Sequence, residues 1–205
     1  MTGIKLCGIT RPQDIDVINR IKPEYIGFVF APASRRYVGD EIASDLKKRL
    51  DPGIAAVGVF VDEAPDRVAK LLNNGIIDMA QLHGDEDEGY LCKLRALTDK
   101  PLIRAFRIKR MEDLLKASEC SADHILLDAG AGDGTVFNWD WLKDYDRPYF
   151  LAGGLDPYNV ADAIRWLHPY AVDVSSGIET DGSKDPVRMR EFVDTVRRTD
   201  TEHEN

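Results

Sequence analysis

Along the chain, short runs of apolar and β-branched residues alternate with longer stretches in which apolar positions recur at helical spacing. The runs are Ile4 to Cys7, Tyr25 to Phe30, Ile54 to Val61, Met79 to Leu82, Leu102 to Arg107, His124 to Asp128, Tyr149 to Leu151 and Ala171 to Val174. Each has strand length. Their last residues recur at a mean step of about 24 positions, which is room for one strand, one helix and two short loops. Eight such units predict a closed parallel α/β barrel, the (β/α)8 TIM fold. An open doubly wound sheet fits less well, because the first unit lacks a glycine-rich turn and eight units share only 205 residues. Two helix starts are explicit. Asp156 and Pro157 open a helix with Val160, Ala163, Ile164 and Leu167 on one face, and Asp185 and Pro186 open another with Met189, Phe192, Val193 and Val196. The whole of 1–205 reads as a single barrel domain, with the polar tail 199–205 expected to fray.

Composition is that of an ordinary globular chain, 43% hydrophobic and 31% charged. The balance of 27 basic against 36 acidic residues, net -9, argues against nucleic acid or an anionic membrane as partner, so any basic function must be local. Cys7, Cys92 and Cys120 are odd in number and widely spaced, without zinc or disulfide spacing, which fits a reducing cytoplasm. No apolar run approaches the roughly 18 residues of a membrane span, so a cytoplasmic protein is expected; whether it is a monomer or homodimer stays open in the sequence.

In such a barrel, chemistry gathers at the carboxyl ends of the strands, and phosphate is often held after the seventh and eighth. Cys7 ends the first run; Gln81 and His83 close the fourth; Asp128 ends the sixth. Gly153 and Gly154 follow the seventh, while Asp173, Ser175, Ser176 and Gly177 close the eighth. The glycines and serines can offer backbone N–H groups to an anion, since small side chains let phosphate approach the chain. A phosphorylated small molecule is therefore the expected ligand. Asp128 sits either as an acid held on a rigid strand or as a turn cap. A thiol on an interior strand, as at Cys7, is ordinarily an inert small hydrophobe, and nothing local but Lys5 hints at its activation. Arg35 and Arg36 are either an anion site or a solvated basic pair. The stretch Gly130 to Gly134 lies in the wrong unit for a dinucleotide loop, and His124 and His168 read as structural.

Several of these residues lie in segments that resemble the phosphoribosylanthranilate isomerase family: Lys5-Leu6-Cys7-Gly8-Ile9-Thr10, Gly27 to Phe30 with Ser34 to Val38, Gly58 to Val61, and Gln81 to Gly84. Further along come Leu126-Leu127-Asp128, Leu151 to Leu155 with Asn159-Val160, and Val172 to Glu179 before Lys184-Asp185. The resemblance covers nearly the whole chain. It implies an enzyme performing an Amadori rearrangement of N-(5-phosphoribosyl)anthranilate in tryptophan biosynthesis, without cofactor or metal. By motif position it implies Asp128 as general acid, Cys7 as general base and Arg36 as partner of the anthranilate carboxylate. It also implies that Asp173 faces the substrate's polar centre, that Gln81 and His83 are wall residues and that the two small-residue loops hold the 5′-phosphate. Both catalytic groups would need environments that bring their pKa values toward neutrality. Asp133 departs from the family's glycine- and threonine-rich loop and is expected to face solvent. The competing functions are another phosphosugar barrel enzyme and a non-catalytic barrel that binds a phosphorylated metabolite. The first lacks its expected lysine and glutamate pairs or metal-ligand histidines, and the second would not need Cys7 and Asp128.

Overall fold

The computed structural model describes residues 1–128, 139–143 and 145–203. Eight parallel strands close into a barrel in chain order: β1 (Gly3–Cys7), β2 (Tyr25–Val29), β3 (Ala55–Phe60), β4 (Met79–Leu82), β5 (Leu102–Arg107), β6 (His124–Asp128), β7 (Tyr149–Ala152) and β8 (Ala171–Val174). The last pairs with the first, Lys5 opposite Asp173. Every strand expected from the hydrophobic pattern is present, its ends within one residue of the expected ones. The outer layer is α1 (Pro12–Ile21), α2 (Asp40–Arg49), α3 (Pro65–Asn73), α4 (Glu88–Arg95), α5 (Met111–Glu119), α6 (Val160–Leu167) and α7 (Pro186–His203). Between β6 and β7 the described residues hold a 3-10 turn, Trp139–Leu142. Asp133 and the glycine-rich stretch around it lie outside the described residues.

Strand alternation separates two apolar cores. Outward-facing Ile4, Leu6, Ile26 and Phe28 pack with the helices, whereas Val57, Met79, Ile103, Leu126 and Phe150 fill the barrel interior. The same inward register carries Lys5, Cys7, Gln81, Asp128 and Asp173. Polar chemistry is thereby stacked on an apolar plug. The opposite end is closed by aromatics, with Tyr25 edge-on to Phe150 at 5.3 Å and His124 stacked on Tyr170 at 5.9 Å. His168 holds the left-handed C-cap of α6 at φ 45°. His124 opens β6 and His168 ends α6, away from the carboxyl ends of the strands.

Two expectations are corrected. Helix α6 starts at Val160 rather than at Pro157, because Asp156 closes a turn first, accepting the N–H groups of Tyr158 (2.7 Å) and Asn159 (3.0 Å). Its four predicted apolar positions are nonetheless buried. The tail does not fray from Thr199: α7 runs on to His203, with Thr199 and Asp200 buried. Asp200 accepts the Thr2 N–H at 2.7 Å and the Thr2 hydroxyl at 2.8 Å, clamping the last helix to the start of β1. A polar anchor of this kind leaves no hydrophobic signature.

Candidate active site

The mouth of the barrel begins at Cys7, which pairs with Gly27 across β1 and β2. A Cβ on Gly27 would lie 2.6 Å from the Cys7 sulfur, so the bare glycine makes the space that the thiol occupies. Two residues below, on the same face of β1, Lys5 is wholly buried, its ammonium 3.0 Å from both Asp173 oxygens. Burial pushes the Cys7 thiol up; Lys5 and Lys184 pull against it, Asp173 adds to it, and the net direction is upward. The expectation that the surroundings bring Cys7 toward neutrality is therefore contradicted. The cause is desolvation beneath the rim, which is invisible in a sequence. For Lys5, burial acts to lower the pKa, but Asp173 and Cys7 outweigh it and hold the ammonium charged. Asp173 faces the cavity, yet both its oxygens are engaged by Lys5.

Across the mouth, Asp128 ends β6 with its side chain partly exposed. Its Oδ2 lies 3.3 Å from His83 Nε2, and His83 Nδ1 lies 2.9 Å from the Gln81 amide nitrogen. The imidazole thus bridges the two side chains, with Nδ1 toward Gln81 and Nε2 toward Asp128. Gln81 is buried, and its Oε1 has no partner among the described residues. Gln81 and His83 both line the mouth. They form a chain ending on the carboxyl.

Beside them lie the two small-residue loops. Gly153 (φ 103°) and Gly154 (φ 67°) turn the chain through the left-handed region that favours glycine. A Cβ on Gly177 would lie 2.0 Å from the Leu155 carbonyl oxygen, so this glycine lets the loops after β7 and β8 touch. The Ser175 hydroxyl donates to the Cys7 carbonyl at 3.2 Å, and Lys184 donates to the Ser175 carbonyl at 2.8 Å.

Cys7, Gln81, His83, Asp128, Asp173, Gly153, Gly154, Ser175 and Ser176 line one cavity of about 290 Å³. Gly177 packs against the carbonyl of Leu155, another lining residue. Arg36 sits at the rim, its side chain crossing Gly8 next to Cys7. A larger cavity of about 650 Å³ shares His83 but is lined by seven carboxylates and three basic residues, the wrong sign for a phosphorylated ligand. Sequence reasoning passed over two charged groups beside the mouth, Glu179 and Lys184, and noted Lys5, beneath it, only as the one local hint of Cys7 activation. For Lys5 a signal existed, because period-two alternation puts it on the face of Cys7.

A protein-family model described as N-(5'-phosphoribosyl)anthranilate (PRA) isomerase matches residues 4–195. The N-(5'-phosphoribosyl)anthranilate isomerase of Endomicrobium trichonymphae is 40% identical over 202 residues, covering 96% of this chain and 98% of that protein. Among solved structures, phosphoribosyl anthranilate isomerase from Thermotoga maritima superposes with a TM-score of 0.87 at 33% identity, over 97% of this chain and 100% of its own. A phosphoribosyl anthranilate isomerase in complex with reduced 1-(o-carboxyphenylamino)-1-deoxyribulose 5-phosphate gives 0.86 at 33% identity, over 97% of this chain and 100% of that one.

Proposed function

The chain belongs to the N-(5'-phosphoribosyl)anthranilate isomerase family, and from that premise we propose that Cys7 and Asp128 are the base and the acid of its reaction. The enzyme is an isomerase of tryptophan biosynthesis, converting N-(5'-phosphoribosyl)anthranilate to 1-(2-carboxyphenylamino)-1-deoxyribulose 5-phosphate. The observation that carries the residue assignment is the shared cavity: a thiol and a carboxyl from distant parts of the chain line it together with the glycine and serine loops.

Asp128 protonates the furanose ring oxygen, breaking its bond to C1′ while the anilino nitrogen's lone pair forms the C1′=N iminium. The cation acidifies the C2′ proton. Cys7 as thiolate takes that proton; the C–H pair becomes the C1′=C2′ bond and the iminium pair returns to nitrogen. The enol then loses its hydroxyl proton as C1′ gains one, leaving the C2′ ketone. Lys5 holds a positive charge beneath the sulfur, offsetting part of the cost of ionising a buried thiol. The His83 and Gln81 chain aims Asp128 at the ring oxygen. Gly153, Gly154, Ser175 and Ser176 anchor the 5′-phosphate, a remote contact whose binding energy positions the reacting carbons. Gly177 contributes by letting the two loops meet. Arg36 takes the aryl carboxylate through its planar fork.

No helix among the described residues is long and apolar enough to cross a membrane. We place the reaction in the cytoplasm, where the Cys7 thiol stays reduced, with a monomer or homodimer as the working unit, since one chain lines the cavity. The test follows loss of substrate fluorescence. Cys7→Ser and Asp128→Asn should each lower kcat by about 10²- to 10⁴-fold, with the inhibition constant of inorganic phosphate unchanged. Near-normal turnover in either variant removes that residue's role.

A further inference from the structure

Arg36 carries its guanidinium over Gly8, where a Cβ would lie 2.4 Å from the arginine Cδ. One edge of its fork is already used. Nε donates to Glu179 Oε1 at 2.6 Å and Nη2 to Glu179 Oε2 at 2.8 Å. Glu179 opens a short hairpin beyond β8, in which Glu179–Thr180 pairs with Ser183–Lys184. Its side chain is only 5% exposed. The same carboxylate also receives Arg35 Nη2 and Lys184 Nζ, each at 2.7 Å. Three cations thus surround one anion, beside the Gly8 and Ser175 backbone that borders the mouth.

The guanidinium is planar, so pairing through Nε and Nη2 turns the other edge, Nη1 with the second Nη2 hydrogen, away from Glu179. We propose that Glu179 is a positioning residue that orients Arg36, so that this outer edge receives the substrate's aryl carboxylate. The inference rests on the assignment of Arg36 to that carboxylate. Its physical content is pre-organisation: a long arginine on a loop loses rotamer freedom when it binds, and the Glu179 bridge meets that cost before substrate arrives. Arg35 and Lys184 keep Glu179 from cancelling the attraction that Arg36 must exert on an incoming anion.

The experiment is a double-mutant cycle on kcat and KM with Arg36→Ala, Glu179→Gln and the combined variant, alongside the inhibition constant of inorganic phosphate. Glu179→Gln should raise KM about tenfold while kcat changes less than about threefold, because a ground-state contact rather than the chemistry is loosened. The phosphate inhibition constant should not move, and the combined variant should be no worse than Arg36→Ala alone. Glu179→Asp keeps the charge among the three cations but withdraws it from the fork. It should raise KM in the same direction even where the glutamine variant does not fold. An unchanged KM in both Glu179 variants, or KM losses that multiply in the combined variant, would overturn the inference. So would a weakened phosphate interaction, which would mean that Glu179 acts through Lys184 and the loop after β8. An unchanged KM in Arg36→Ala instead removes the underlying assignment of Arg36.

Discussion

A missing side chain at Gly27 decides where the Cys7 sulfur can sit. Gly27→Ala would bring a methyl to 2.6 Å from it, a distance that one of the two must give up. The displaced thiol is expected to lower kcat by tenfold or more while the far-UV spectrum and the phosphate inhibition constant stay as they are. Full turnover in this variant would show that the sulfur's position is not critical. At this scale the sequence was legible wherever a polar residue closed an apolar run, as at Cys7, Asp128 and Asp173. Glu179 was not legible, because a carboxylate in a short loop gains its meaning from three cations brought there by other segments. Nor was the direction of the Cys7 shift, which depends on burial that residue order does not state.

The strands were the most legible elements, since alternating and fully apolar runs of strand length leave few other ways to bury them. Helix starts were less so. The Asp156 carboxylate that reads as a cap instead closes the turn before α6. Helix α7 extends past its apolar stripe because Asp200 finds Thr2, a polar contact between the two ends of the chain. Asp200→Ala leaves the buried Thr2 N–H and hydroxyl without their acceptor. It should cost about 1–3 kcal/mol, seen as a lower urea midpoint with kcat/KM retained. An unchanged midpoint would mean that the clamp adds nothing to stability.

For the whole molecule, barrel closure turns chain order into geometry. Residues 7, 81, 128 and 173, spread over most of the sequence, become neighbours because each ends or nearly ends a parallel strand. The βα period made that rim readable before any coordinates. The net charge of -9 did not foretell a cluster of Arg35, Arg36 and Lys184 around Glu179 beside the mouth, since a sum over the chain hides local sign. The claim on which the rest depends is that the Cys7 thiolate is the base, and the pH dependence of kcat/KM in wild type and Cys7→Asp tests it most directly. Turnover needs Asp128 protonated while Cys7 is ionised, so the buried thiol's raised pKa sets the alkaline limb of the wild-type profile, where the rate falls only beyond the free-thiol value of about 8.5. A carboxylate, with a free pKa of about 3.9, should move that falling limb down by two units or more. Superimposable limbs in the two enzymes would contradict the account.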